Sequence, residues 1–218
     1  MTYTEKLENY INVQEISQPR TPAEYILWFE EKLKINRELK EELREQMLLR
    51  KGKMSEYFYN ELFPLWRLLQ NKREDWEQVK FVPIIGDQNF DVEVRTDRKD
   101  VPKYIEISNA DMNTEEYAIN RQLFNHRYAN IGSVSRESIK NKIKEAIDRK
   151  MHVAARPDNT ALLVYFNDYT AFRYDDNNAK YEMSIFLDSI DIVLQNRYIA
   201  LYVVGASGQS FYERKRLQ

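Results

Sequence analysis

The chain has 218 residues, 43% of them hydrophobic and 31% charged, with 33 basic and 35 acidic side chains, for a net charge of −2. This suits one globular domain with an extension, and it lacks the basic excess of a nonspecific nucleic-acid binder, although a local basic cleft remains compatible. With no Cys there is no disulfide framework and no zinc–thiolate site, and no apolar run approaches the ~18 residues a membrane span needs. The N-terminal segment has no apolar signal core, and the default expectation is a soluble cytoplasmic protein.

In chain order, Met1 to Arg20 has no clear period and reads as a loose arm. Thr21-Pro22-Ala23-Glu24 is a helix start, with Thr as N-cap, Pro at N1 and Glu at N3. A helical pattern then runs to Arg50, with Ile26, Phe29, Leu33, Leu39, Leu43 and Met47 on an apolar stripe. Such a stripe must be covered, by the rest of the chain or by a second copy, with Trp28 and Phe29 as its anchors. Gly52 breaks the pattern. A second helix is expected from Ser55 to about Gln70, kinked at Pro64.

Strands follow at Gln78–Ile85, Phe90–Arg95 and Lys103–Ser108, the last two joined by a polar turn ending at Pro102. Helices are expected from Thr114 to about Tyr128 and from Ser135 or Ser138 to Lys150. The run Thr160–Phe166 is continuously apolar, as in a central strand covered on both faces. A helix from Asn178 to about Gln195, a strand from Tyr198 to Val204 and a charged tail at Glu213–Arg216 complete the reading. Residues 1–52 form an N-terminal helical extension and residues 53–218 an α/β domain. Its expected architecture is three-layer α/β/α around a central mixed sheet.

The candidate chemistry lies in the hairpin. A register symmetric about its loop sets Asp91 opposite Glu106, and directly opposed residues share a face with Cβ atoms ~4.5–5.5 Å apart. Two carboxylates so placed repel unless a proton or a cation lies between them. Asp91, Glu106 and Ser108 on one face therefore describe hard oxygen donors for a divalent cation. Glu56 and Glu61 on the preceding helix are candidate third ligands, and Glu93 shares the parity of Asp91. His126 and His152 have no spaced partner for zinc, and there is no Gly-rich phosphate loop.

The arrangement of Asp91 and Glu106 resembles the PD-(D/E)XK nuclease superfamily, the restriction-endonuclease-like fold, in its two acids and in the α-β-β-β-α-β element order over roughly Met54 to Val204. It departs from the motif at Phe90, where the family has Pro, and at Ser108, where it has Lys. The resemblance implies a Mg²⁺-dependent (or Mn²⁺-dependent) nuclease acting on a nucleic acid, with metal ligands drawn from Asp91, Glu106, Glu61, Glu56 and Glu93. Ser108 cannot supply the charge of the missing Lys. Arg121, with Gln122 beside it, is the substitute expected here, while Lys144 and Lys150 are read as solvent-facing. Glu106→Gln should then abolish cleavage and leave the fold intact. The alternative is an inactive member of the same fold that binds protein or nucleic acid. The N-terminal helix is expected to pack within the chain, with a homodimer through it as the lesser alternative.

Overall fold

A computed structural model describes residues 11–39, 43, 45, 47, 53–86, 88–110, 121–122, 135–152, 156–168, 177–194 and 197–215. The helix expected from Thr114 to Tyr128 lies outside these residues except at Arg121 and Gln122, which are helical. The described helices are α1 (Val13–Ile16), α2 (Pro22–Glu38), α3 (Lys53–Tyr57), a π-helical turn (Phe58–Leu62), α4 (Phe63–Asn71), α5 (Arg136–Met151) and α6 (Asn177–Leu194). The strands are β1 (Lys80–Pro83), β2 (Val92–Arg95), β3 (Tyr104–Asn109), β4 (Thr160–Phe166), β5 (Ala200–Gly205) and β6 (Phe211–Lys215). They form one mixed sheet in the order β1-β2-β3-β4-β5-β6. β1, β2 and β3 are antiparallel neighbours, β4 and β5 run parallel to β3, and β6 returns antiparallel to β5.

The apolar run of β4 is buried at every residue because both faces of the sheet are covered. Ala161, Leu163 and Tyr165 join one core with Tyr25 and Phe29 of α2, Phe58 and Leu62 of the π turn, and Leu65 and Leu69 of α4. Leu162, Val164 and Phe166 join the other, with Ile139, Ile143 and Ile147 of α5 and Met183 and Leu187 of α6. The architecture is thus α/β, with helices packed on both sides of the mixed sheet. No helix among the described residues is long and apolar enough to cross a membrane.

Several expectations change. The reciprocal Thr21–Glu24 capping box is present, but α2 ends at Glu38, where Leu39 turns to extended backbone (φ −60°, ψ 145°). Phe29 is fully buried, stacked 4.8 Å from Phe58 and tilted against Trp66 at 5.5 Å. The segment before Thr21 is tied down from Ile11 onward: Ile11 and Ile16 are buried, and Arg20 and Phe81 exchange backbone hydrogen bonds of 3.1 and 2.8 Å. Pro64 does not simply kink its helix. It lacks the N–H that would close an α turn, and the chain widens into the π turn just before it, with the Phe63 N–H donating to the Phe58 carbonyl five residues back. The charged tail is the edge strand β6. Its Glu213 accepts from buried Lys72, the residue that caps α4, at 2.6 Å, while Arg214 donates to Asp188 (2.7 Å) and to Ser184 Oγ (2.7 Å) of α6. Alternate charges thus face opposite sides and are paired on each.

Candidate functional site

The site forms where β2 parts from β3. The paired residues Val92↔Ile105 and Glu93↔Tyr104 carry the register read from the symmetric hairpin. At Asp91 that register is interrupted. The Asp91 N–H donates to the Ile105 carbonyl at 2.9 Å, so Asp91 and Val92 both face Ile105, the two-against-one count of a β-bulge. Asp91 is therefore not squarely opposite Glu106. The bulge turns its side chain so that Oδ2 accepts the Ile107 N–H at 2.5 Å, the next donor along β3, which β2 has moved away from.

Glu106 points from β3 to the α5–α6 side and is 3% exposed. Its Oε2 accepts from the Tyr198 hydroxyl (2.6 Å) and from Arg156 Nε, and its Oε1 lies 3.1 Å from Lys150 Nζ. Burying a carboxylate is costly unless it is paired and hydrogen-bonded, and these three groups meet that requirement. Lys150 is thus not solvent-facing as expected. It closes the stripe Ile139, Ile143 and Ile147 at helical spacing, so the fold turns it toward the sheet, where the ammonium meets Glu106. Ser108, at the position where the family has Lys, is buried and donates to the Ala146 carbonyl at 3.0 Å. It pins β3 to α5 and presents nothing to a substrate.

Glu61 comes from the π turn on the opposite layer and meets Asp91. Burial, then the charge of Asp91, pushes the Glu61 carboxyl from an ordinary 4.5 up to about 8, while the Tyr57 hydroxyl and Lys150 pull the other way. Burial also raises Asp91 to about 6, with Glu106 adding to the rise and Lys150 and the Ile107 N–H opposing it. Glu61 Oε2 is buried without a hydrogen-bond partner. The Tyr57 hydroxyl donates to the Ile84 carbonyl at 2.6 Å, and Ile84 N–H in turn holds the Asp91 carbonyl at 2.9 Å. The result is a line of acids, Glu61, Asp91 and Glu106, crossing the sheet at the bulge, with Lys150 interacting with all three.

The other candidates fall away from this line. Glu56 is exposed. Glu93 is bound by Arg95 of its own strand, with both contacts at 3.2 Å. Arg121 and Gln122 are exposed helical residues, and the cations on Glu106 are Lys150 and Arg156 instead. Among the described residues no three acidic or imidazole side chains stand together as a ready metal site. The pair Asp91 and Glu61 nevertheless suits one hard cation: two oxygen donors held at raised pKa, one with a buried orphan atom that a cation would satisfy.

Arg156 and Tyr198 were not singled out from sequence. Arg156 stands 4.5 Å over the Tyr198 ring, and its Nη2 is buried with no acceptor, a state that costs about 1–3 kcal/mol. Neither residue lies in a motif, and only the packing of the segment before β4 against the start of β5 joins them to Glu106. Comparison with protein-family models, curated proteins and solved structures gives no match.

Proposed function

We propose that the chain is a metal-dependent phosphodiester hydrolase of the restriction-endonuclease-like kind, with the motif cation relocated from β3 to α5. The observation that carries this reading is the Lys150 ammonium, 3.1 Å from Glu106 and within electrostatic reach of Asp91 and Glu61. It restores, from another element, the positive charge that Ser108 lacks. The order of elements supports it: the π turn and α4, then β1, β2 and β3, then α5 and β4, with β4 parallel to β3. So does the bulge at Asp91, since bulges re-aim side chains beside active sites.

In this reading Asp91 and Glu61 would hold a Mg²⁺ or Mn²⁺ ion. Lewis acidity, which would lower the pKa of a water and stabilise a leaving oxygen, is what such an ion would supply there. Glu106, fixed on Oε2 by Arg156 and Tyr198, orients Lys150. Lys150 faces the acids with its charge and stabilises the negative charge that develops on the phosphoryl group. The bulge and the Ile107 N–H keep Asp91 in place. The substrate class is nucleic acid.

A second reading rests on the same carboxylate. Arg156 and Tyr198 occupy Oε2 fully, which suits a structural anchor in an inactive, partner-binding member of the fold. Cleavage of single- and double-stranded DNA and RNA in Mg²⁺ or Mn²⁺ decides between them. Wild-type protein should cleave at least one. Asp91→Asn and Lys150→Met should each lower the rate by ~10²-fold or more while the protein remains folded by circular dichroism. A wild-type protein that cleaves none of these substrates favours the inactive member over the hydrolase.

A further inference from the structure

Phe90 and Tyr104 stand apart from the packing of the rest of the sheet. Their ring centroids are 4.6 Å apart and their planes are tilted by 49°. Large aromatics ordinarily anchor a core, yet among the described residues neither ring joins the core on either side of the sheet. Both are half-buried, so each keeps part of its surface in water. Phe90 immediately precedes Asp91 at the bulge. Tyr104 lies two residues before Glu106 on β3, and alternation puts it on the same face, about 7 Å away along the strand.

We infer that Phe90 and Tyr104 form a stacking platform for one unpaired nucleobase of a single-stranded nucleic acid. Every base has a π-face that stacks on an aromatic ring, whatever the sequence. The tilt makes the two planes diverge, so a flat base laid on one ring meets the other at its rim. Only a base out of its duplex stack presents that face. The inference deepens the hydrolase reading and rests on it for its substrate. A strand step of about 7 Å from Tyr104 to Glu106 is short enough to set the phosphate of the same or the next nucleotide at the acids.

The experiment measures binding of short fluorescein-labelled oligonucleotides to the full chain by anisotropy, with Ca²⁺ in place of Mg²⁺ or Mn²⁺. The probes are single-stranded DNA, single-stranded RNA, each sequence as a duplex, and an abasic strand of equal length and charge. Wild type should bind at least one base-bearing single strand about tenfold or more tighter than its duplex and the abasic strand. Phe90→Ala and Tyr104→Ala should each lose about tenfold on that single strand and change little on the abasic one. Tyr104→Phe keeps the ring and should bind as wild type does. Equal wild-type affinity for the base-bearing single strand and either the duplex or the abasic strand overturns the proposal, and that comparison needs no variant to fold. Unchanged affinity in either alanine variant also overturns it. Ring-dependent binding without cleavage of any nucleic acid leaves the platform standing and removes the hydrolase. Cleavage with undiminished binding in the alanine variants does the reverse, and a wild type that binds none of the probes removes both.

Discussion

Replacing Glu61 by Gln should stabilise this protein at alkaline pH. Its carboxyl is raised from 4.5 to about 8, by burial first and by Asp91 second. The unfolded chain releases this proton near the ordinary value and the folded chain keeps it to about 8. Between those limits the folded state binds more protons, so its stability falls as pH rises through the window and is flat above it. Asp91, raised from 3.8 to about 6, adds to the loss in the lower part of the window. The full displacement of Glu61 corresponds to ~4–5 kcal/mol. Because the two acids share the repulsion, ~2–3 kcal/mol is assigned to Glu61 alone. Gln keeps the shape, adds a donor toward Asp91 and cannot ionise. Denaturant and thermal melts in chelator, from about pH 5 to about pH 8.5, should show the wild type losing stability and the variant losing much less. The two should be close at low pH and differ by about 5–10 °C in Tm at the high end. A variant less stable than wild type at about pH 8, or a wild type indifferent to pH over this range, would refute the buried acid pair.

Glu106→Gln should be far from silent. It strips the counter-charge from buried Arg156 and from Lys150, and a destabilisation of about 3–5 kcal/mol is expected in equilibrium unfolding. This corrects the expectation of an intact fold; Asp91→Asn and Lys150→Met are the cleaner probes of chemistry. Gly205→Ala should also destabilise, by about 1–3 kcal/mol in the same assay. A methyl group there would lie 2.1 Å from Asp168 Oδ2, forcing that carboxylate off the Ser207 N–H (2.8 Å) and hydroxyl (2.6 Å) it now holds. Unchanged stability would mean that this turn relaxes freely.

Local signals in the sequence were enough for much of this molecule. The Thr21–Glu24 box, the Ser135 cap that accepts from Ser138 N–H, the alternation of β2 and β3 and the unbroken apolar run of β4 are written in short-range spacing, because caps and strand faces depend on neighbours a few residues away. The pairing of Val92 and Glu93 with Ile105 and Tyr104 was legible for the same reason, whereas Asp91 does not stand opposite Glu106, because the bulge breaks the register there. Even Lys150 carried a signal, since it continues the spacing of Ile139, Ile143 and Ile147, although its charge invites a solvent-facing reading. Tertiary structure decided the rest. The bulge at Asp91 depends on where β2 separates from β3. Glu61 matters because the π turn before Pro64 brings it from the opposite layer, and β6 is a strand because Lys72, Asp188 and Ser184 pair its charges from two sides. Arg156 and Tyr198 lie 50 and 92 residues from Glu106. Their contact is created by parallel pairing of β3, β4 and β5, and pairings across such distances leave no period or motif in the chain.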